Sequence, residues 1–167
     1  MSEPTPSLST PEPTKRLPRA ARGYFVLQAL GWAVPLVIAS LVIGAELARD
    51  GDVADWIGVV VIVLGPVIAA VGGIVVPLVR WSRWRYELRD EELDLQRGAW
   101  VVTRTLIPML RVQHVDTRRS WLADQLSLQA VIVHTAAGSH EIPALAPGEA
   151  ASIRDRIALL ARQPDEP

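Results

Sequence analysis

The chain has 167 residues, of which 50% are hydrophobic and 21% charged, and its formal net charge is −1. Without a basic excess, this composition does not favour a nucleic-acid-binding protein. The absence of cysteine excludes disulfides, thiolate metal sites and cysteine nucleophiles. Apolar and charged residues are segregated along the chain, so long apolar stretches and a polar domain are considered separately below.

Residues 1–22 begin the chain with a segment rich in proline, serine and threonine. Residues 1–17 alone contain Pro4, Pro6, Pro11 and Pro13. Such a segment cannot bury enough apolar surface to offset the entropy of folding. We therefore predict a disordered, solvated tail over residues 1–22.

Two uncharged stretches follow, Tyr24–Ala45 and Trp56–Val79. Each exceeds the roughly 20 residues that a helix needs to cross a bilayer core. The linker Glu46–Asp55 is short, so residues 23–83 are predicted to form a transmembrane helical hairpin with a short acidic outer loop. Neither stretch contains an ionisable side chain in its interior, which argues against a proton relay or a transporter core and in favour of an anchor.

The basic residues on both sides of the hairpin predict its orientation. Positive charge precedes the first stretch and follows the second, whereas the linker is acidic with the single arginine Arg49. Positively charged flanks stay in the cytoplasm, so both termini are expected there. The alternative, a cleaved signal peptide, is less favoured because the first apolar stretch is too long and Ala45–Ala48 is a poor cleavage site.

Small residues in the second stretch predict close packing of the two helices. Gly65, Ala69 and Gly72 line one face of the helix, and small residues allow helix backbones to approach each other in lipid. Trp32 lies deep in the first stretch and is expected to pack against the second helix. Aromatic residues at the predicted span ends are expected to lie at the headgroup level. They are Tyr24, Trp56, Trp81 and Trp84.

The remaining aqueous domain is predicted over residues 84–163, followed by a tail at 164–167. Alternating and β-prone segments predict six or so strands, and Ala150, Ile153, Ile157 and Leu160 form one face of a C-terminal helix. The predicted strands cover 84–88, 93–96, 100–107, 111–117, 128–135 and 139–142, with a bulge in the fourth and a helical turn at Ser120–Leu126. The predicted fold is a curved sheet or partial barrel closed by the helix.

Residues that could carry chemistry are few. His134 and His140 flank one predicted hairpin and could face each other, with Glu141 nearby, whereas His114 lies on another strand; cross-strand polar pairs are more often structural than metal-binding. The acidic run Asp90–Asp94 is interpreted as a solvated turn. Ser127, Ser139 and Ser152 lack the context of a hydrolase elbow, and no phosphate-binding loop is present. We predict no enzyme, no metal and no cofactor.

Arginines are the more informative polar residues. Arg80, Arg83 and Arg85 follow the second apolar stretch, where basic side chains attract an anionic leaflet. They are candidate lipid headgroup contacts, although their simplest role is to set the topology. Arg104, Arg111, Arg118 and Arg119 lie on strands or strand ends, and solvated positions are the simplest interpretation of Arg118 and Arg119.

Three sequence blocks after the hairpin resemble a known family. They are RYELRDEELDLQRGAW (Arg85–Trp100), LIPMLRVQHVDTRRS (Leu106–Ser120) and LQAVIVHTAAG (Leu128–Gly138). Together with the hairpin they resemble the small bacterial membrane proteins that carry a bacterial pleckstrin-homology (PH) domain of the second type. A glycine is usual in that family where Ser127 stands. The resemblance implies a PH-like fold exposed to the cytoplasm at the bacterial inner membrane, and no catalytic motif.

The predicted function is a membrane-anchored PH-like binding or assembly module, with a protein partner and anionic lipid as candidate ligands. One alternative is an accessory subunit whose hairpin packs against a larger membrane protein, with the domain as a spacer. An enzyme acting at the membrane surface is the least favoured hypothesis. Fold alone does not transfer the phosphoinositide binding of eukaryotic PH domains to this chain.

Overall fold

The computed structural model describes residues 11–49 and 54–161, and the first feature of the chain is a pair of long apolar helices. Helix α1 spans Arg19–Leu47. The second helix runs from Ala54 to Arg83 as α2 (Ala54–Ala70), a π-helical turn (Val71–Val75) and α3 (Val76–Arg83). Only 11% of the most apolar window of each helix is buried inside the protein, so these helices are not the core of a soluble fold.

Both helices are longer than a bilayer core is thick. Each candidate span has 29 residues, and at about 1.5 Å per residue such a helix is about 43 Å long, compared with a hydrocarbon core of about 30 Å. The π-helical turn lies directly before Pro77, where proline removes a backbone donor and a π turn accommodates the interruption. The excess length of α1 allows its first turns to pack with the domain.

The domain consists of two antiparallel sheets and a C-terminal helix, which confirms the predicted fold class. Sheet A has the order β1-β2-β3-β4 and sheet B the order β5-β6-β7. The strands are β1 (Lys15–Arg16), β2 (Arg85–Leu88), β3 (Glu92–Arg97), β4 (Thr103–Pro108), β5 (Val112–Arg118), β6 (Gln129–Thr135) and β7 (Gly138–Leu145). Helix α4 (Trp121–Gln125) joins β5 to β6, and α5 (Pro147–Leu160) packs on β5 and β6.

One hydrophobic core joins the sheets, α5 and the start of α1. Ile153 and Ile157 of α5 lie in this core, as predicted, with Ile157 fully buried. Leu17, Ala21 and Phe25, from outside the predicted domain, lie in the same core. The soluble domain is therefore not confined to residues 84–163, because the N-terminal segment and the first turns of α1 complete it.

The prediction of a disordered tail over residues 1–22 is wrong for its second half. Lys15 and Arg16 form β1 and pair with Arg85 and Tyr86 of β2, Leu17 is buried, and α1 begins at Arg19. Composition did not reveal this structure, because residues 15–16 become ordered by pairing with β2, which lies about 70 residues further along the chain. Residues 1–10 and 162–167 lie outside the described residues, as do 50–53 in the acidic linker.

Residues 11–17, called the N-terminal strap below, also cover a buried carboxylate. Asp94 of β3 is fully buried, and its carboxylate accepts hydrogen bonds from Arg104 Nε (3.0 and 3.1 Å) and Nη2 (2.6 Å). Nη1 of Arg89 lies 3.5 Å from Oδ2 of the same carboxylate. Both arginines donate to the carbonyl of Pro11, at 2.6 and 2.7 Å. The hydrogen bond that Arg104 donates to the Asp94 carboxylate raises the pKa of Arg104, so the guanidinium stays charged.

The interpretation of Asp90–Asp94 as a solvated turn is therefore wrong for its last residue. Strand alternation directs Asp94 to the outer face of sheet A, as expected for a polar residue between Leu93 and Leu95. The strap and the two arginines bury this outer position. Asp90 shows the expected behaviour, since its side chain is 80% exposed and pairs with Arg156.

Two further local predictions need correction. The strand predicted to start at residue 100 is β4, and it begins at Thr103. The reason is that Gly98, at φ +144°, turns the chain into a loop that ends at Val102. Trp84 lies in the domain core, 3% exposed, and not at the headgroup level. Trp81 donates from its ring nitrogen to the Pro18 carbonyl at 3.1 Å, which fastens α3 to the start of α1.

Ser127, where the family that this chain resembles usually has a glycine, adopts a backbone conformation that favours glycine. Ser127 has φ +52°, a left-handed conformation that costs non-glycine residues about 1 kcal/mol or more. Its N–H donates to the Asp124 carbonyl, and Leu128 N–H donates to the Ala123 carbonyl at 2.7 Å. The tight turn after α4 is thus formed with serine in place.

A buried tyrosine links sheet A to α5. Tyr86 of β2 is fully buried, and its hydroxyl donates a hydrogen bond to the carboxylate of Glu149 in the first turn of α5. Burial raises the pKa of the Tyr86 hydroxyl, and the Glu149 carboxylate raises it further. The tyrosine is therefore a neutral donor that orients the helix on the sheet.

Candidate functional site at the membrane junction

The domain meets the helical hairpin at two adjoining clefts, which we call together the junction cleft. One has a volume of about 230 Å³ and the other about 180 Å³. Tyr24 and Gln28 of α1 and Glu141 of β7 line both of them. The clefts therefore lie where α1 leaves the apolar span and passes the edge of sheet B.

Three arginines from three separate elements line the junction cleft. Arg80 comes from α3 and Arg97 from the end of β3 on one side, and Arg118 from the end of β5 on the other. All three are exposed, and Glu141 is the acidic residue among the lining side chains. Arginine presents a planar fork of donors that fits phosphate and carboxylate groups. Among the residues that line the junction cleft, three arginines thus stand against one acidic residue.

The three arginines predicted as lipid contacts have different surroundings. Arg80 lines the cleft, and its guanidinium carbon lies 5.5 Å from the centre of the Phe25 ring. Arg83 donates to the Ala99 carbonyl at 2.6 Å. Arg85 donates to two carbonyls of its own chain segment, and burial, then the nearby Arg16 charge, lowers its pKa. Of the predicted set, Arg80 is thus the residue that faces the cleft.

Sequence reasoning missed Arg97 as a site residue and treated Arg118 as a solvated strand end. Both are separated from Arg80 by 17 or more positions, and only the pairing of β3 and the course of β5 bring them to the same cleft. The one feature of the sequence that could have indicated these site residues is that Arg97 and Arg118 each end a strand. Strand ends on the same side of two sheets converge, but the topology has to be known first.

Two tryptophans beside the junction are almost fully exposed, which sequence reasoning also missed. Trp100 is 79% and Trp121 78% exposed, and Val101 next to Trp100 is 78% exposed. The Arg83–Ala99 hydrogen bond ties the loop with Trp100 to the last turn of α3. Trp121 begins α4, which contacts α1. Exposed apolar side chains beside membrane helices are typical of a surface that contacts the bilayer interface.

The small residues predicted for helix packing lie between the two helices. A Cβ added to Gly65 would be 2.2 Å from the Ser40 side chain, and one added to Gly72 would be 2.2 Å from the Trp32 ring. Ala69 is 3% exposed. These positions have no room for larger side chains, so Gly65, Ala69 and Gly72 remain our proposed determinants of hairpin packing.

The tightest approach of the two backbones is near the linker that joins the two helices. A Cβ added to Gly58 would lie 2.6 Å from the Gly44 carbonyl oxygen, and one added to Gly44 would lie 2.5 Å from the Ile62 side chain. Gly58 and Gly65 are seven residues apart, which keeps both on the face towards α1. The contact face is therefore longer than the three residues predicted.

The predicted facing of His134 and His140 is wrong. In the β6–β7 pairing His134 lies opposite Ser139 and His140 opposite the buried Val133, so the two histidines are on opposite faces of sheet B. His134 instead lies opposite His114 of β5. Sequence reasoning did not pair these two because their strands are separated by α4 and the turn that follows it.

These features define an integral membrane protein with a two-helix hairpin and a PH-like domain whose core includes the start of the first helix. The sequence model of the family described as bacterial PH domain matches residues 25–161. The chain belongs to this family, which confirms the resemblance found from its sequence blocks.

A similar protein, UPF0699 transmembrane protein YdbS of Bacillus subtilis (strain 168), is 48% identical over 92 residues, which are 55% of this chain and 58% of the relative. The aligned part thus spans less than two thirds of the relative's length. No solved structure matches the chain. The relative's name agrees with the two candidate spans, and neither description names an enzymatic activity.

Proposed function

We propose that this protein is a non-enzymatic, membrane-anchored binding module whose PH-like domain lies on the cytoplasmic face of the bacterial inner membrane. Its junction cleft takes the headgroup of an anionic phospholipid. The observation that carries this proposal is that Arg80 and Arg97 line one of the two adjoining clefts beside α1 and that Arg118 lines the other. Each basic residue near an anionic leaflet contributes about 1 kcal/mol of attraction.

The exposed tryptophans support contact between the domain and the bilayer surface. Trp100 and Val101 lie in a loop that is hydrogen-bonded to α3, and Trp121 lies in α4, which contacts α1. Tryptophan rings prefer the headgroup region, where one side is apolar and the other wet. Apolar contacts on two sides would hold the arginines of the cleft at the depth of the lipid phosphates.

The cytoplasmic orientation is part of the proposal and rests on the distribution of basic residues. Lys15, Arg16, Arg19 and Arg22 precede the first apolar stretch, and Arg80 and Arg83 follow the second. By the positive-inside rule, reporter fusions at Met1 and at Pro167 should both give cytoplasmic signals. A periplasmic signal from the fusion at Pro167 would contradict this orientation.

A protein partner is the second candidate ligand, and the outer edge of β4 favours it. Within the described residues, β4 pairs with β3 on one side and with no strand on the other. Leu106 on β4 and Leu110 just after it are 44% and 68% exposed. An unpaired edge beside apolar side chains can accept an added strand from another protein. In the accessory-subunit alternative, the hairpin itself would contact the partner.

Neutralising the cleft should weaken contact with anionic bilayers. We expect the double variant Arg97→Gln and Arg118→Gln to raise the domain away from the surface, because two of the three cleft arginines lose their charge. The chain has no cysteine, so a spin label on Val101→Cys reports depth from a single site. Full-length protein is measured in nanodiscs of phosphatidylcholine, with and without phosphatidylglycerol.

The label should lie deeper in anionic discs, and the double variant should remove this difference. High salt should act in the same direction on the unmodified cleft, since surface attraction is screened within about 10 Å at 0.1 M. The matched control is Arg111→Gln with Arg154→Gln, which removes the same charge from residues outside the cleft lining. Equal depth in both lipids would reject the lipid proposal and favour a partner at β4 or at the hairpin.

A further inference from the structure

We propose that His114, Asp116 and His134 form a binding site for a divalent transition-metal ion on the outer face of sheet B. The Asp116 carboxylate lies 3.3 Å from Nε2 of His134 and 3.6 Å from Nε2 of His114. The three ligand atoms lie within 4.8 Å of one another. Two imidazole nitrogens and one carboxylate oxygen thus converge on one small region of the sheet.

A β-bulge produces this convergence. The pairing of β5 with β6 shifts register between Val112 and His114, so that His114 lies directly opposite His134. Shifting a strand by one residue moves its side chains to the opposite face, and bulges often re-aim side chains at functional positions. Asp116 is two residues after His114 and lies on the same face, because side chains alternate along a strand.

Ser139 orients one of the two imidazoles. Its hydroxyl oxygen lies 3.2 Å from Nδ1 of His134, and the directly opposed positions on β6 and β7 hold the two side chains together. With Nδ1 as the donor to this hydroxyl, the lone pair of Nε2 is directed towards Asp116. Metal-binding histidines commonly donate their second ring nitrogen to such a partner, which fixes the tautomer and the ring orientation.

The donor set indicates the class of ion. Imidazole nitrogen suits Zn²⁺, Ni²⁺ and Cu²⁺, whereas Mg²⁺ and Ca²⁺ prefer sites made entirely of oxygen. The two rings stack with centres 4.1 Å apart and planes 12° apart, so at least one must turn for both nitrogens to bind one ion. His114 and Asp116 are 59% and 60% exposed, which leaves this rotation open and leaves coordination positions for water or a partner's group.

The proposed metal site is separate from the junction cleft. Arg118, which lines the cleft, is four residues beyond His114 and two beyond Asp116 on β5, or about 13 Å and about 7 Å at about 3.3 Å per residue. None of the three proposed ligands is among the residues that line the cleft. A metal ion at the histidines would therefore add positive charge to the outer face of sheet B without occupying the cleft. The two proposals can fail independently.

The test is a titration of the full-length protein, solubilised in detergent and without a histidine tag, with Zn²⁺ followed by calorimetry. We expect saturable binding of one ion, and a loss of affinity of at least about tenfold in His114→Gln, His134→Gln and Asp116→Asn. Ser139→Ala should weaken binding by about tenfold, since it removes an orienting partner. With Cu²⁺ as the probe, the electron paramagnetic resonance spectrum should show two coordinated nitrogens.

The matched control is His140→Gln, because His140 lies opposite Val133 on the other face of the same sheet; its affinity should equal that of the unmodified protein. Thermal unfolding of each variant without metal checks that the domain still folds. The proposal is overturned by Mg²⁺ binding as tightly as Zn²⁺, by unchanged affinity in the histidine variants, or by an equal loss in His140→Gln. A Cu²⁺ spectrum of the unmodified protein without coordinated nitrogen would also overturn it, and this measurement does not depend on any variant folding.

Discussion

Replacing Asp94 by alanine is expected to destabilise the PH-like domain by about 3 kcal/mol, at the lower end of the range for breaking a buried ion pair. Asp94 is fully buried, and its loss leaves Arg104 and Arg89 without their shared carboxylate. The lower end applies because the arginine side chains keep 31% and 23% exposure and can gain water. For a domain of about 100 residues this corresponds to a fall in Tm of roughly 12–24 °C.

The same variant should loosen the N-terminal strap, because Arg104, one of the two arginines that donate to the Pro11 carbonyl, is hydrogen-bonded to Asp94. Faster tryptic cleavage after Lys15 or Arg16 would report this loosening, whereas a general loss of packing elsewhere would not select these bonds. Asp90→Ala is the matched control. Its carboxylate is 80% exposed and pairs with an exposed arginine, so its effect should stay within about 1 kcal/mol. An unchanged Tm in Asp94→Ala would show that the ion network does not support the domain.

Replacing Ile157 by aspartate should prevent the domain from folding. Ile157 is fully buried in the core shared by α5 and the sheets, and an unpaired carboxylate there belongs to the class of substitutions that cost more than about 4 kcal/mol. A loss of this size approaches the whole stability of a domain at the lower end of the typical range of roughly 5–15 kcal/mol. Near-ultraviolet circular dichroism and resistance to protease, measured on the full-length protein in detergent, should both report the loss.

Leu159→Asp tests whether the effect comes from burial. Leu159 lies two residues further along the same helix and is 64% exposed, so a charge there should change stability by no more than about 0.5 kcal/mol. Both variants carry the same new charge at the same end of α5. Equal unfolding of the two variants, or a native Ile157→Asp domain, would contradict the position of α5 in the structure.

The shared core gives the membrane anchor a direct structural role. Ala21 and Phe25 belong to α1 and also to the domain core, and Trp81 of α3 bonds to the Pro18 carbonyl. A tilt of the hairpin is therefore transmitted to the sheets rather than absorbed by a flexible linker. For the same reason a fragment of residues 84–163 lacks part of its core, and stability measurements require the full chain.

Local sequence patterns predicted most elements. These patterns indicate which side of an element is apolar. They are the two apolar stretches, the alternation in β2 and β3, the irregular spacing in β5 and the apolar face of α5. The strand expected from residue 100 began later, because Gly98 has a positive φ and an apolar pattern does not reveal a turn. The site residues were predicted less well, and of the three suggested arginines only Arg80 lines the junction cleft.

The sequence by itself determined that this is a two-span membrane protein with a β-rich domain, because span length and the 2-residue and 3.6-residue periods are local properties. That the domain is PH-like was implied by the resemblance of its three sequence blocks to a known family. Tertiary structure decided what covers each face. It buried Asp94 beneath the strap, brought Arg97 to the cleft that Arg80 lines and Arg118 to the adjoining cleft, and placed His114 opposite His134 through a bulge. These outcomes depend on strand order and register between distant segments, and a periodic pattern states which face is apolar without stating what will lie against it.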